Sequence, residues 1–350
     1  MAEPVRILSL STAVPPIVLH QKSVVERARL LFKKSGVDID RLLPVYANAG
    51  IETRYSCVPI EWYLEATGFK ARNTLFIEHA VILLRQAAEK CLAAAGIAAE
   101  VVDTIVTVST SGIATPSLDA RLMETMPLRR DIQRLPIFGL GCAGGVSGFA
   151  RAAAMAQAEP GSLVMFLVVE LCGLTFRSND MSKSNVIATA LFGDGAAAAL
   201  VRCGGPADTP ALVGWGEHTW PDTLDIMGWR VEDDGLGVLF SRDIPAIVRD
   251  RYGVAVDAFL SGQELSRADL DGVLCHPGGA KVIDALEDSF GLAPGQMTHS
   301  RQVLRDFGNM SAATIMFVLD RALRHGIRGR HLLSSLGPGF TAAFALMEAP

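Results

Sequence analysis

Aromatic and charged residues are both scarce in this 350-residue chain, at 7% and 20%, yet half of its residues are hydrophobic. Such a chain has ample material for a large core, which excludes disorder and fibrous architecture. Basic excess is missing too: 32 Lys and Arg face 37 Asp and Glu, a net charge of −5. Nucleic acid and anionic membrane surfaces are therefore not expected as general partners. No apolar run reaches the roughly 18 residues of a membrane span; the densest, Leu163 to Val169, is stopped by Glu170. Glu3 precedes Arg6 and Pro15-Pro16 breaks the first apolar stretch, so a signal peptide is not expected and the expected location is the cytoplasm, without stable membrane association. The six cysteines, at 57, 91, 142, 172, 203 and 275, lack CxxC spacing. They read as reduced thiols, with neither disulfide framework nor metal site. Short repeats, low-complexity tracts and long linkers are absent from the pattern.

What is present is an alternation of strands and helices. Val5 to Ser11 reads as a strand, Gln21 to Ser35 and Asn73 to Ala95 as helices, Thr104 to Thr110 and Leu135 to Phe138 as strands. Helix Val146 to Ala158 and strand Ser162 to Val169 follow. After Gly204-Gly-Pro206 the theme returns: strands near Leu212 and Val238, helix Asp243 to Leu260, strand Asp271 to Leu274, helices Ala280 to Ser289 and Met310 to Arg324, then strands Leu332 to Leu336 and Thr341 to Leu346. Mixed sheets covered by helices are expected, in two halves, 1–205 and 206–350, sharing one body, with the Ala-rich helix at 150–158 buried between two sheets.

Gly139-Leu-Gly-Cys-Ala-Gly-Gly145 lies between an apolar strand and a helix. Gly139, Gly141 and Gly144 satisfy the G-x-G-x-x-G of a dinucleotide fold, which would also need an acidic residue at the end of the next strand. Glu159 and Glu170 are the candidates, and neither is well placed; a non-catalytic dinucleotide-binding protein is the resulting alternative. The second reading makes Cys142 a nucleophile on a tight turn, its thiolate stabilised and its pKa lowered by the following helix N-terminus. A buried structural cysteine is the third.

His276 follows the apolar strand ending at Cys275 and precedes Pro277-Gly-Gly279, a strand C-terminal end of the kind where α/β sites gather. Asn309 opens the helix running to Arg324, as an ordinary N-cap or as an amide donor. Gly337-Pro-Gly339 separates two apolar runs. Thiol, imidazole and neutral amide together suit acyl transfer. An amide stabilises a developing enolate that a carboxylate would repel.

These segments resemble the type III polyketide synthases, the chalcone and stilbene synthase-like members of the thiolase superfamily, over essentially the whole chain. Gly141-Cys-Ala-Gly-Gly145 is similar to the nucleophile loop, Leu191-Phe-Gly-Asp-Gly-Ala196 to the segment with a gatekeeper phenylalanine, His276-Pro-Gly-Gly279 to the histidine loop and Gly308-Asn-Met-Ser-Ala312 to the asparagine loop, with Gly337-Pro338-Gly339 completing the set. The resemblance implies an α/β, five-layered αβαβα thiolase fold with two similar halves, the first carrying the nucleophile and the second His and Asn. It also implies a homodimer, no cofactor beyond coenzyme A esters as substrates, and a Cys142, His276 and Asn309 triad. Cys142 would take the starter acyl group; His276 would pair with its thiolate and, with Asn309, hold the malonyl-CoA thioester oxygen during decarboxylation. Phe192 would line the gate and exclude water.

Departures from the plant enzymes bear on the substrate. Val238 stands where they carry a second gate phenylalanine, Thr115 where a methionine reaches into the neighbouring subunit's cavity, and Cys172 where threonine is usual. Thr175 is a further cavity position. Smaller side chains, and the likeness of 221–245 to bacterial alkylpyrone and alkylresorcinol synthases, suggest a long-chain acyl starter. For coenzyme A the resemblance points to Arg41, Gly279 and Lys281, with Asn48 in place of a plant lysine. Thr110, Glu170 and Ser311 match a trio linked to the choice of ring closure, or form a structural network. A β-ketoacyl synthase III making one condensation shares the triad and is the nearest alternative.

Overall fold

The protein is described by a computed structural model over residues 3–33, 43–65 and 67–350. In the first half the strands are β1 (Val5–Ala13), β2 (Ile17–His20), β3 (Thr53–Ser56), β4 (Thr104–Val108), β5 (Gln133–Ile137), β6 (Leu163–Leu171) and β7 (Asp194–Cys203). The helices among them are α1 (Gln21–Lys33), α2 (Pro44–Ala47), α3 (Phe69–Ala95), α4 (Leu118–Leu122), α5 (Gly144–Ala158) and α6 (Lys183–Leu191). The second half has β8 (Ala211–Thr219), β9 (Met227–Glu232), β10 (Gly235–Phe240), α7 (Ile244–Ile247), α8 (Gly253–Ser261), β11 (Gly272–Cys275), α9 (Ala280–Phe290), α10 (Thr298–Phe307), α11 (Thr314–Arg324), β12 (Gly329–Gly337) and β13 (Thr341–Ala349).

Nine strands form one sheet in the order β11-β12-β13-β8-β1-β7-β6-β4-β5. Its two parts are joined where Val5 and Arg6 of β1 pair with Leu212 and Ala211 of β8. Each part repeats one pattern. β4 is parallel to β6, β6 antiparallel to β7, and β7 antiparallel to β1. Likewise β11 is parallel to β12, β12 antiparallel to β13, and β13 antiparallel to β8. The helix between the equivalent parallel strands is α5 in one half and α11 in the other.

That repeat gives the layers. Helix α5 packs on β4, β6 and β7 of the first half and on β8, β12 and β13 of the second, with α11 beside it. Outside lie α3, against β1, β6 and β7, and α8, against β8 and β13. The result is the five-layered αβαβα arrangement. Ala152, Ala153 and Ala156 of α5 are wholly buried, because a helix covered on both sides leaves room for little more than a methyl group. At Gly145 even that is excluded: a Cβ would lie 2.2 Å from the Ala312 carbonyl oxygen. The starts of α5 and α11 are thereby brought into contact. Helix α3 stops at Gly96, left-handed at φ +65°, as a helix C-terminus favours.

Differences from the sequence reading have local causes. Residues 243–260 form α7, a π-helical turn over Val248–Tyr252 and α8 rather than one uniform helix. Strand β7 and helices α6 and α10 lie in stretches with no predicted element. Helix α11 begins at Thr314, after a 3₁₀ turn over Ser311–Ala313. Among the described residues no helix is long and apolar enough to cross a membrane.

Candidate active site

The two central helices start at the same place. β5 ends at Ile137 and the chain turns through Gly139 (φ +91°) and Gly141 (φ +47°) into a 3₁₀ turn, 141–143, that runs straight into α5. The equivalent turn, 311–313, leads into α11. Cys142 and Asn309, each in front of its helix, are 7% and 1% exposed. The third approach comes from β11, whose end delivers His276, held by its own N–H on the Ser334 carbonyl at 2.8 Å.

Hydrogen bonds join these segments. The Cys142 thiol donates to Ser311 Oγ at 3.6 Å, and the Asn309 amide acts on the thiol in the direction that favours its thiolate. Asn309 Nδ2 donates to the Gly278 carbonyl at 3.2 Å, and its Oδ1 accepts from Ser311 N at 2.8 Å. Asn309 is thus no N-cap; it spans from the nucleophile to the histidine loop. Its backbone is fixed as well, N–H to the Leu191 carbonyl at 2.8 Å and C=O from Gly193 N at 3.0 Å, a parallel bridge beside Phe192. Ser311 sits at φ +46°, a strained conformation for a residue with a Cβ, of the kind that clusters at functional sites.

The electrostatics correct one expectation. Burial pushes the Cys142 thiol up to about 12 and the His276 imidazole down to about 3, so both are neutral in the closed cavity. Among the described residues neither ring nitrogen of His276 has a partner. The expected thiolate–imidazolium pair is therefore not made here; two unpaired buried nitrogens leave a donor and an acceptor for what enters.

Glu170, wholly buried at the end of β6, is pushed up to about 7 by burial. Its carboxylate accepts from Thr110 N at 3.1 Å and Ser111 N at 2.9 Å, and Thr110 Oγ1 accepts from Gly141 N at 3.1 Å. Thr110 and Glu170 are joined and steady the nucleophile turn, whereas the Ser311 hydroxyl meets Cys142 instead. Gly337 and Pro338 close the turn from behind: a Cβ on Gly337 would lie 2.5 Å from Ala143 N, and one on Gly141 would lie 2.6 Å from the Pro338 ring. A pyrophosphate has no access to this turn, and Glu170 is already bonded to amides. The dinucleotide reading fails on both counts.

Cys142, Phe192, Val238, Ser311 and Pro338 line one cavity of about 30 Å³, together with Met227, Trp229 and Phe240. Trp229 and Phe240 were not singled out in the sequence; their signal is the hairpin, where every second residue shares a face. Beyond Phe192 lies a larger apolar cavity of about 80 Å³, lined by Cys172, Thr175, Ala188 and Phe192 and reaching Val24, Ala28 and Leu31 of α1. The space expected beside Val238 is occupied by Trp229 and Phe240; the room is behind Cys172.

Arg54, also missed, is buried in β3 and donates to the carbonyls of Thr189 at 2.7 Å, Ala190 at 2.9 Å and Phe192 at 3.1 Å. It caps the end of α6 from which Phe192 emerges. Gly279 is buried as the N-cap of α9, and Lys281 is exposed in its first turn. Thr115 is exposed in the loop after β4, outside the cavity of its own chain. Arg41 lies outside the described residues. Among the described residues no three His, Cys, Asp or Glu side chains converge as a metal ion would require.

Comparison with known proteins agrees with this geometry. Residues 2–206 match the family model for chalcone and stilbene synthases, N-terminal domain, and residues 216–348 the C-terminal domain. A protein of Bacillus subtilis (strain 168) with a provisional chalcone synthase name is 41% identical, covering 98% of both chains. A 1,3,6,8-tetrahydroxynaphthalene synthase of Streptomyces peucetius subsp. caesius is 36% identical over 98% of this chain and 92% of its own. The crystal structure of 1,3,6,8-tetrahydroxynaphthalene synthase from Streptomyces coelicolor A3(2), a bacterial type III polyketide synthase, superposes with a TM-score of 0.93 at 29% identity, covering 98% of this chain and 99% of that one. The chain belongs to the chalcone and stilbene synthases, the type III polyketide synthase family of acyl-transferring condensing enzymes.

Proposed function

We propose that this type III polyketide synthase loads a long-chain acyl group from coenzyme A onto Cys142, extends it with malonyl-CoA and closes the product to an alkylpyrone or alkylresorcinol. In the loading step the Cys142 sulfur attacks the thioester carbonyl, its proton passes to His276, and coenzyme A leaves as the thiol with that proton. Malonyl-CoA then places its thioester oxygen between His276 and Asn309 Nδ2, whose N–H donors stabilise the enolate as carbon dioxide departs. The enolate carbon attacks the acyl carbon on Cys142, a carbon–carbon bond forms and the thiolate is released for the next cycle. The observation that carries this reading is the chain of bonds that brings the three loops together: the Cys142 thiol on Ser311 Oγ, Ser311 N on Asn309 Oδ1, and Asn309 Nδ2 on the Gly278 carbonyl.

The cavity behind Cys172 supports the long starter: its walls also hold Arg27, Arg54, Tyr63 and Thr189, but most of the surface they leave open is apolar and suits a methylene chain. In this reading Gly279, Lys281 and Arg41 serve the coenzyme A arm, and the enzyme works in the cytoplasm as a homodimer. Ile113 and Phe138, large and exposed on the loops after the adjacent strands β4 and β5, suit a covered face. The second reading is condensation of malonyl-CoA alone, favoured by relatives named 1,3,6,8-tetrahydroxynaphthalene synthase at 36% and 30% identity. Incubation with malonyl-CoA and a panel of acyl-CoA starters, followed by product mass analysis, separates the two. Products carrying the starter's alkyl chain support the first, and a naphthalene product formed at the same rate without any starter overturns it.

A further inference from the structure

Val238 leaves the gate short of one aromatic ring, and we propose that Trp229, backed by Phe240, supplies it. This inference rests on the reading of Phe192 as the first half of the gate. The register of the β9–β10 hairpin pairs Val238 with Trp229 and Phe240 with Met227. Directly opposed residues, and residues two apart on one strand, share a face. All four side chains therefore reach the cavity that holds Cys142 and Phe192. The Phe192 ring meets Trp229 edge-on at 6.2 Å and Phe240 at 5.7 Å, within the range of favourable aromatic pairs. The space of about 30 Å³ holds two or three waters at roughly 10–15 Å³ each.

Trp229 is also tied to the nucleophile. Its Nε1 donates to the Thr110 carbonyl at 3.1 Å, and Thr110 in turn holds Gly141 N through its hydroxyl. The hairpin is a separate two-stranded sheet, fastened to the body by this bond and by Arg177, which pairs with Glu232 and Asp234. The indole thus sets where the gate stands relative to the sulfur.

A second wall matters because the enolate left by decarboxylation has two fates. It attacks the acyl carbon on Cys142, or it takes a proton from water and leaves as acetyl-CoA. Excluding water favours the first.

The test measures acetyl-CoA formed per malonyl unit incorporated, alongside starter acylation of Cys142. Trp229→Ala is expected to raise that ratio roughly fivefold, about the worth of one aromatic edge-to-face pair, and to slow acylation by the starter by a smaller factor. Trp229→Phe should return the ratio to within about twofold of the parent, since the ring is restored. Should the alanine variant not fold, Trp229→Val keeps strand propensity and is read in the same way. A fall in acylation and extension together, with the ratio unmoved, would overturn the proposal. Phe192→Ala is the reference: if it leaves the ratio unmoved, the gate reading itself is wrong. If it raises the ratio and the Trp229 variants do not, only the role of Trp229 is lost.

Discussion

Filling the cavity behind Cys172 should shorten the preferred starter, and the size of the effect follows from its volume. About 80 Å³ of room, at roughly 10–15 Å³ for each water-sized group, accommodates about six methylenes. At about 0.8 kcal/mol each their burial is worth about 5 kcal/mol, of which ordering the chain removes about half. The remaining 2–3 kcal/mol corresponds to a preference of about 30- to 150-fold for a long over a short acyl chain. Ala28 is the place to intervene. It is buried on α1 and lines this cavity, whereas Cys142 lines the other. Ala28→Phe should reduce the ratio of kcat/KM for long over short acyl-CoA by most of that factor, leaving kcat/KM for the short starter within about twofold. Ala28→Leu should fall between the two. The assay is product formation from each acyl-CoA with saturating malonyl-CoA, with a thermal melt to register any overpacking of α1. A phenylalanine variant that melts like the parent and keeps its preference for long chains would refute the placement of the acyl chain.

Asn309→Asp should slow malonyl-CoA decarboxylation by about 10²–10³ while slowing starter loading far less; equal losses in the two half-reactions would contradict the division of labour. Glu170 keeps a proton up to about pH 7 in the folded chain, whereas an unfolded glutamate releases it near 4.3, so its own contribution to stability is complete below about pH 4.3 and is lost as pH rises through that window. Glu170→Gln should accordingly shrink the loss of urea stability between pH 5 and pH 8 by about 2 kcal/mol. Part of the dependence should persist, because burial raises Asp194 to about 6 with the same sign; an unchanged slope would refute the assignment to Glu170. Arg54→Met strands the Thr189 and Phe192 carbonyls at the end of α6, while the Ala190 carbonyl keeps Gln21 Nε2 at 3.2 Å; at about 1 kcal/mol or more apiece the loss in urea unfolding should reach about 2 kcal/mol.

The triad residues stood out in the sequence because each carries its own glycine-rich loop at the end of an apolar strand. Helix α3 was equally plain, its apolar spacing running to a glycine stop. Strand β7 was not, because its core is Ala196 to Ala199, a poor strand former by propensity; pairing on both sides with β1 and β6 overrides that preference. What surrounds Val238 is hidden from the sequence for a similar reason. Position 238 alone suggested an opening, while the hairpin register that brings Trp229 across from it exists only in the folded sheet. The direction of the Cys142 shift likewise depended on burial, which outweighs the helix N-terminus in a closed cavity.

Whether Cys142 carries the acyl chain is decided most directly by the intact mass of the protein after mixing with a long-chain acyl-CoA in the absence of malonyl-CoA. The account predicts a single acyl adduct, mapped to the peptide containing Cys142, absent from Cys142→Ala and discharged into product when malonyl-CoA is added. An adduct that forms equally on Cys142→Ala, or product made by that variant at the parent rate, would contradict it.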